Sequence, residues 1–228
     1  MTVHSDRHSD LPTVVVRCHG ERTYGFSPAN TALLVIDMQK DFFADETGAC
    51  ANPMHTIVPS VVALVDVARR LGCRVIHTRE GYNSELSDVT AYRRFLGYVG
   101  RPGPLGRFLI RGEPGHDFLD ELRPLPNETV IDKSGFSAFY ESALGDQLRA
   151  ADVDHLILCG VTTECCVHST LRDAVDRGYW CLTVADCCAS CDPGLHDAAL
   201  SLIAEGDHLF GWACDLADAK AAAAALGS

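Results

Sequence analysis

The feature that most constrains the fold is a strand-to-helix transition in the second half of the chain. Residues 156–159 form a continuous apolar run, Gly160 follows, and apolar residues between Val167 and Val175 then recur at helical spacing. This order predicts a buried parallel strand that ends near Gly160 and a helix that begins near Cys165 and Cys166. An α/β domain with a parallel sheet is therefore indicated.

The adjacent cysteines at that junction are candidate nucleophiles. In the first turn of a helix, free backbone N–H groups and the positive end of the macrodipole favour a thiolate over a thiol. The thiolate is the nucleophilic form of cysteine, so we expect a reactive thiolate here. Spacing alone does not decide between Cys165 and Cys166, and a buried structural cysteine is the alternative.

Apolar segments alternate with helical patterns along the rest of the chain. Further strands are predicted over residues 31–36, 73–78, 129–131, 179–185 and 208–211, and further helices over 59–71, 142–150, 193–205 and 215–226. This alternation predicts one three-layer α/β/α domain over residues 31–228, with a six-stranded parallel sheet. Residues 1–30 are predicted to be an N-terminal arm, loose except for a candidate edge strand at Val14–Val16.

Three chemically complementary side chains follow the ends of three predicted strands. Asp37 follows residues 31–36, Lys133 follows 129–131, and the cysteine pair follows the strand that ends near Gly160. The carboxyl ends of parallel strands share one edge of the sheet, where ligands bind. A helix-capping Asp37 and a solvated Lys133 are the alternatives. Their joint placement with a cysteine favours an active site.

Composition excludes several partners. With 19 Lys and Arg against 31 Asp and Glu, the net charge of −12 argues against nucleic acid and anionic membranes. No apolar run approaches the ~20 residues that a membrane span needs. Residues 1–12 lack an apolar signal core, so we expect a cytoplasmic protein. Residues 81–115 are rich in Gly and Pro and are predicted to be a lid or binding loop.

Eleven cysteines raise the question of disulfides or a zinc site. Several lie inside predicted strands, and a reducing compartment disfavours disulfides. Cys187, Cys188 and Cys191 are close together in sequence, but a structural zinc site usually combines two separated pairs of ligands. We therefore interpret this group as small packing residues after a strand.

With these motifs in place, residues 31–211 resemble the cysteine hydrolases of the isochorismatase-like superfamily. The resemblance rests on residues 34–42, 131–133, 160–167 and 170–174. It implies a Rossmann-like six-stranded parallel sheet, and it selects Cys166, the cysteine directly before a valine, as nucleophile. Asp37 would be the general base, and Lys133 would keep Asp37 ionised and favour the thiolate. The resemblance also implies a cis Val161–Thr162 bond, with the N–H groups of Thr162 and Cys166 stabilising the oxyanion.

The same resemblance indicates the class of substrate. Relatives that hydrolyse nicotinamide carry an Asp-x-His metal motif, which residues 44–58 lack, so we expect neither a metal nor another cofactor. Residues 78–81, 111–115 and 186–189 resemble the branch acting on biuret and other ureides. We therefore expect an amidohydrolase that cleaves a C–N bond of a biuret-, triuret- or ureidoacrylate-type substrate through a thioester.

Other functions remain as alternatives. A carbamoyl amino acid or simple amide hydrolase has the same fold. The vinyl-ether-cleaving members use no cysteine nucleophile, so Cys166 argues against them. A thiol redox or binding protein is the third alternative, but adjacent cysteines rarely form a relaxed disulfide.

Recognition of a planar ureide requires acceptors for its N–H groups. We expect Phe43, Glu80 and the 81–115 loop to form the mouth of the pocket, with Glu80 and Glu205 as candidate acceptors. The resemblance, together with a mean hydropathy slightly above zero, predicts a homo-oligomer, namely a homotetramer.

Overall fold

A parallel sheet of six strands forms the centre of the protein. The computed structural model describes residues 13–44, 54–204 and 208–226. The strands are β1 (Val14–Cys18), β2 (Arg22–Phe26), β3 (Thr31–Ile36), β4 (Arg74–Glu80), β5 (Pro102–Gly103), β6 (Gly106–Arg107), β7 (Thr129–Lys133), β8 (His155–Val161), β9 (Trp180–Ala189) and β10 (Trp212–Cys214). The helices are α1 (Val58–Leu71), α2 (Ala91–Leu96), α3 (Leu144–Ala150), α4 (His168–Asp176), α5 (Pro193–Ala204) and α6 (Leu216–Leu226).

The order of strands across the sheet is β10-β9-β8-β3-β4-β7. β3 lies at the centre and pairs in parallel with β8, with Ile36 opposite Gly160. On its other side, β4 pairs in parallel with β7, with Glu80 opposite Lys133. Every residue of β3 and β8 is buried, which explains their continuous apolar sequences. The predicted six-stranded α/β fold is confirmed.

Two apolar cores lie on opposite faces of this sheet. Successive side chains of a strand point to opposite faces, and β3 divides accordingly. Leu33 and Val35 join one core with residues of α1 and α6. Leu34 and Ile36 join the other core with residues of α3, α4 and α5. Helices on both faces of one sheet make the three-layer architecture.

Residues 14–26, predicted as part of a loose arm, differ from that expectation. β1 and β2 form an antiparallel hairpin with a two-stranded sheet of its own. The side chains of β1 alternate between buried and exposed, and the hairpin packs against α6 and β10. The Tyr24 ring lies 5.2 Å from that of Trp212, and its hydroxyl donates to the Trp180 carbonyl at 3.1 Å. Burial of these aromatic rings fixes the segment to the domain.

The sixth strand of the sheet lies later than predicted. Residues 208–210 form a turn, and the strand is Trp212–Cys214, paired with residues 182–184. Gly211 precedes it with a φ of +91°, and a Cβ there would lie 2.3 Å from the Cys181 carbonyl oxygen. The chain therefore turns at Gly211 and enters the sheet only after it.

The long connection 81–115 has its own small core. Tyr82, Val89, Leu109 and Ile110 are buried together, and it contains α2 and the two-residue strands β5 and β6. The Tyr82 N–H donates to the Leu109 carbonyl at 2.8 Å, which joins the two ends of the connection. Among the residues that the structure describes, no helix combines the length and apolar character needed to cross a membrane.

Candidate active site

Asp37 occupies the position directly after the central strand. Its φ of +52° is unusual for a residue other than glycine, and it turns the chain out of β3. The side chain is fully buried. Thr78, near the end of β4, donates its hydroxyl to Asp37 Oδ1 at 2.6 Å, and the Asp37 N–H donates to Thr78 Oγ1 at 3.2 Å. This pair of hydrogen bonds fixes the carboxylate at the sheet edge.

Lys133 ends β7 and reaches past β4 to this carboxylate. Its Nζ lies 2.7 Å from Asp37 Oδ2 and donates to the Gly135 carbonyl at 2.8 Å. Burial lowers the pKa of Lys133, but its anionic neighbours, Asp37 foremost, outweigh that effect and raise the pKa above its ordinary value. Lys133 is therefore an ammonium ion inside the protein.

Cys166 lies in a π-helical turn, Thr163–Val167, that joins β8 to α4. Its side chain is buried, whereas Cys165 is half-buried. The Cys166 thiol donates to Glu80 Oε2 at 3.6 Å. One ligand-type atom each of Asp37, Glu80 and Cys166 lies within 4.8 Å of the others. The structure thus brings together the three residues predicted to be catalytic, with Glu80 as a fourth member.

The protonation state of Cys166 differs from the expected thiolate. Its interaction with the Cys165 thiol and its own burial raise the pKa of Cys166 well above the ordinary value. The carboxylates beside it add to this rise, and the lowering effect of Lys133 does not compensate. The Cys165 thiol and burial, ahead of the two carboxylates, therefore favour the neutral thiol of Cys166 over the thiolate.

Glu80, predicted at the mouth of the pocket, lies buried within the cluster. It is only 2% exposed. Its Oε1 accepts from the Tyr82 hydroxyl at 3.1 Å and lies 3.2 Å from Arg93 Nη1. Its Oε2 accepts from the thiol and lies 3.8 Å from Lys133 Nζ. Two cations and two weaker donors therefore surround this carboxylate.

Arg93 brings the long connection into the cluster. It belongs to α2, whose N-terminus is capped by Thr90, and its side chain is almost fully buried. The guanidinium lies 3.4 Å from the centre of the Phe136 ring and contacts the Tyr98 hydroxyl. Because Arg93 also pairs with Glu80, the 81–115 segment is anchored to the cluster.

Thr162 and Phe43 have different surroundings. The Val161–Thr162 peptide bond is cis, and the Thr162 carbonyl accepts from the N–H groups of Cys165 and Val167, each at 3.1 Å. An oxyanion role for the N–H groups of Thr162 and Cys166 stays a prediction. Phe43 is buried in the core, with its ring centre 5.4 Å from that of His55. That burial differs from the predicted place at the pocket mouth.

Glu205 and the cysteine group at the end of β9 were also considered in the sequence. Glu205 lies outside the described residues. Cys187 and Cys188 belong to opposite cores of the sheet, so their thiols diverge and cannot converge on one zinc ion. Cys191 packs against one core as predicted, but it is disulfide-bonded, which the argument against disulfides did not allow for.

Three supporting residues of the cluster were missed in the sequence. Thr78 holds Asp37, Arg93 holds Glu80, and Gln39 exchanges two hydrogen bonds with the Glu80 backbone at 2.8 and 3.0 Å. Thr78 and Gln39 follow or end predicted strands, so their position at the same edge was a usable signal. Arg93 had no such signal, because its place depends on how the long connection folds.

The Asp37, Glu80 and Cys166 atoms are close enough to act as ligands of one metal ion. Lys133 Nζ, however, lies within 2.7 Å of one carboxylate and 3.8 Å of the other. The ammonium thus already supplies a positive charge to both acidic side chains. Absence of a catalytic metal stays a prediction.

Comparison with known proteins agrees with this geometry. The sequence profile of the Isochorismatase domain matches residues 31–218. Ureidoacrylate amidohydrolase RutB of Pantoea ananatis is 28% identical over 201 residues, which cover 82% of this chain and 80% of the relative. RutB of Caulobacter segnis is also 28% identical, with 85% of both chains covered.

Solved structures show the same fold. A cysteine hydrolase from Pseudomonas syringae pv. phaseolicola superposes with a TM-score of 0.78 at 28% identity, covering 93% of this chain and 98% of its own. The nicotinamidase/pyrazinamidase PncA of Bacillus subtilis superposes with a TM-score of 0.69 at 25% identity, covering 82% and 100%. Since the profile extends from the central strand into the last helix, this chain belongs to the isochorismatase domain family.

Proposed function

We propose that this protein is an amidohydrolase that cleaves a C–N bond of a small ureide through a cysteine thioester. The observation that carries this proposal is the buried cluster in which the Cys166 thiol lies beside the Asp37 carboxylate and the Lys133 ammonium. A thiol nucleophile, a proton acceptor and a fixed cation are what acyl transfer to sulfur requires. The RutB relatives, named for ureidoacrylate hydrolysis, support the choice of substrate class.

The first half of the reaction forms the thioester. Asp37 takes the thiol proton of Cys166, and the sulfur electron pair attacks the substrate carbonyl carbon. The carbonyl π pair moves to oxygen, where the N–H groups of Thr162 and Cys166 are proposed to stabilise it. The intermediate then collapses, the C–N bond breaks, and the proton on Asp37 passes to the leaving nitrogen to give ammonia or an amine.

The second half regenerates the enzyme. Asp37 takes a proton from water, and the resulting hydroxide attacks the thioester carbon. The C–S bond breaks, and sulfur recovers its proton from Asp37. Lys133 does not transfer a proton in this scheme. Its raised pKa keeps it charged, so that it stabilises the carboxylate before each transfer and the sulfur anion as the anion develops.

The raised pKa of Cys166 bears on this chemistry. Because the neutral thiol is favoured, transfer of its proton to Asp37 becomes part of the attack step.

A screen of ammonia release tests the proposal. Ureidoacrylate, biuret, triuret, a carbamoyl amino acid and an aliphatic amide would be compared by kcat/KM, with Cys166→Ser as the control for contaminating activity. We expect the ureides to exceed the aliphatic amide by at least about 100-fold, because an aliphatic amide lacks several of their hydrogen-bonding groups. Equal turnover of all five compounds would contradict the ureide assignment, and no turnover of any would contradict the amidohydrolase proposal.

A cytoplasmic homotetramer that uses no cofactor completes the proposal. Leu195 and Leu202 on α5 are each 51% exposed, which gives that helix an apolar outer surface suited to a subunit contact. Sedimentation at micromolar concentration tests the assembly, and a single monomeric species would contradict it. Activity that is lost on dialysis against a chelator and restored by a divalent ion would contradict the absence of a metal.

A further inference from the structure

The two oxygens of the Glu80 carboxylate are held very differently. Oε1 is bound by the Tyr82 hydroxyl at 3.1 Å and by Arg93 Nη1 at 3.2 Å. Oε2 faces a thiol at 3.6 Å and an ammonium at 3.8 Å. A thiol is a weak donor, and the second distance is too long for a hydrogen bond. Oε2 is therefore a buried anionic oxygen whose present donors are readily replaced by a stronger one.

The same oxygen controls where the thiol hydrogen points. Cys166 donates to Glu80, although the Asp37 carboxylate lies in the same cluster. While the S–H group donates to Glu80, its single hydrogen is not donated to Asp37, the general base of the proposed mechanism. A substrate N–H group placed at Oε2 would displace the thiol, which then has Asp37 as its remaining carboxylate acceptor.

We infer that Glu80 is a further catalytic residue, which holds the Cys166 hydrogen in the resting enzyme and releases it when a substrate N–H group takes its place. This inference rests on the proposed function for the identity of the substrate, but its first half concerns the free enzyme alone. Recognition of the substrate N–H group thereby controls the reactivity of the Cys166 thiol, because a ligand without that group leaves the thiol bound to Glu80.

The charged groups around the thiol support this role. Asp37 directly follows β3, Glu80 ends β4, Lys133 ends β7, and Cys165 shares the turn with Cys166. Arg93 from α2 pairs with Glu80 on the side away from the thiol. Glu80 is one of the groups that raise the pKa of Cys166, so its neutralisation should make the thiol more acidic.

The first experiment measures the free enzyme without substrate. The rate at which iodoacetamide alkylates Cys166 is followed against pH by peptide mass spectrometry in wild type and Glu80→Gln. We expect the midpoint of the curve of alkylation rate against pH to lie about one pH unit lower in the variant. Alkylation at neutral pH should then be about tenfold faster. Asp132→Asn is the matched control, because it removes a half-exposed carboxylate of β7 that pairs with Arg79 outside the cluster.

An unchanged midpoint in Glu80→Gln would overturn the inference. If that variant does not fold, Glu80→Asp serves instead, since it keeps the charge beside Arg93 but withdraws the oxygen from the thiol. The pH midpoint of alkylation should also be lower in this variant than in wild type, and an unchanged midpoint would again overturn the inference. Neither result depends on which compound the enzyme hydrolyses, so failure of the proposed ureide activity is distinguished from failure of this inference.

The second experiment tests release by the substrate. A ureide is compared with its terminal N,N-dimethyl analogue in wild type and Glu80→Gln. We expect the wild-type preference for the N–H compound to appear mainly in kcat and to shrink about tenfold in the variant. A preference that is the same in both proteins, or that appears only in KM, would contradict release of the thiol by substrate.

Discussion

Lys133 and Asp37 form an ion pair of 2.7 Å in which neither side chain is exposed to solvent. Two buried charges of opposite sign depend on each other, because removal of one leaves the other without compensation in a region of low dielectric. The stability of the fold therefore depends on neither member of this pair being present without the other.

Lys133→Met should destabilise the protein by about 3–5 kcal/mol and abolish turnover. The double variant Asp37→Leu with Lys133→Met should regain most of that stability but no activity, because the uncompensated charge is gone. Urea denaturation measures both. The control is Arg79→Met, which breaks a pair of 2.7 Å with Asp132 at the surface and should cost about 1 kcal/mol or less. A double variant no more stable than the single one would contradict this account.

Cys166→Ser should lower kcat by about 10⁴-fold or more, because an alcohol is far harder to deprotonate than a thiol. Cys165→Ala should keep most of the activity, since the half-buried Cys165 touches the cluster only through its neighbour. Steady-state ammonia release measures both, and mass spectrometry after rapid quenching should detect the acyl group on Cys166. Substantial turnover by purified Cys166→Ser protein would show that Cys166 is not the nucleophile.

Gly160→Ala should prevent normal pairing of β8 with β3. Gly160 has a φ of +115°, and a Cβ there would lie 2.1 Å from the Ile36 carbonyl oxygen. We expect a loss of roughly 3 kcal/mol or more in unfolding free energy, because two backbones cannot both keep their positions. Gly72→Ala is the matched control, with a φ of +79° but no atom within 4 Å, and should cost only about 1–2 kcal/mol. Equal losses in the two variants would show that the contact with Ile36 is unimportant.

Asp41→Asn should change how stability depends on pH. Burial raises the pKa of Asp41 from 3.8 to about 6, although the Leu109 N–H donates to its Oδ2 at 2.8 Å. Because the folded pKa is the higher one, the carboxyl favours folding when protonated, and that contribution is lost as pH rises through about 6. The Tm of wild type should therefore fall relative to the Asn variant between pH 4 and 7. Parallel Tm curves for the two proteins would contradict this prediction.

The central strands could be predicted because burial on both faces leaves a clear sequence pattern. Residues 32–36 and 156–159 are continuously apolar, and polar residues follow both strands at the edge of the sheet where the active site is predicted. Asp37, Lys133 and Cys166 were therefore predicted to lie together, although the choice of Cys166 over Cys165 came from the family resemblance.

The surroundings of the cluster could not be predicted in the same way. The environment of Glu80 depends on Arg93, whose position is set by tertiary packing of a segment without a regular pattern. The raised pKa of Cys166 results from the Cys165 thiol, from burial and from the neighbouring charges, and a helix-terminus argument considers none of these. Of the hairpin of β1 and β2, only a candidate edge strand at Val14–Val16 was predicted, because both strands are short and four of their ten residues are not buried.

The contact of the N-terminal hairpin with α6 affects the order in which the chain can fold during synthesis. β1 packs against the last helix, and β3 needs β8 as a partner. The segments that are synthesised first therefore cannot complete their packing until later segments have been synthesised. Until residues beyond Gly160 have left the ribosome, the apolar edges of β3 and β4 have no complete sheet to join. Asp37 can lie beside Cys166 only after β8 has paired with β3. We therefore expect productive folding to be late and dependent on chaperones, with catalytic activity among the last properties that the nascent chain acquires.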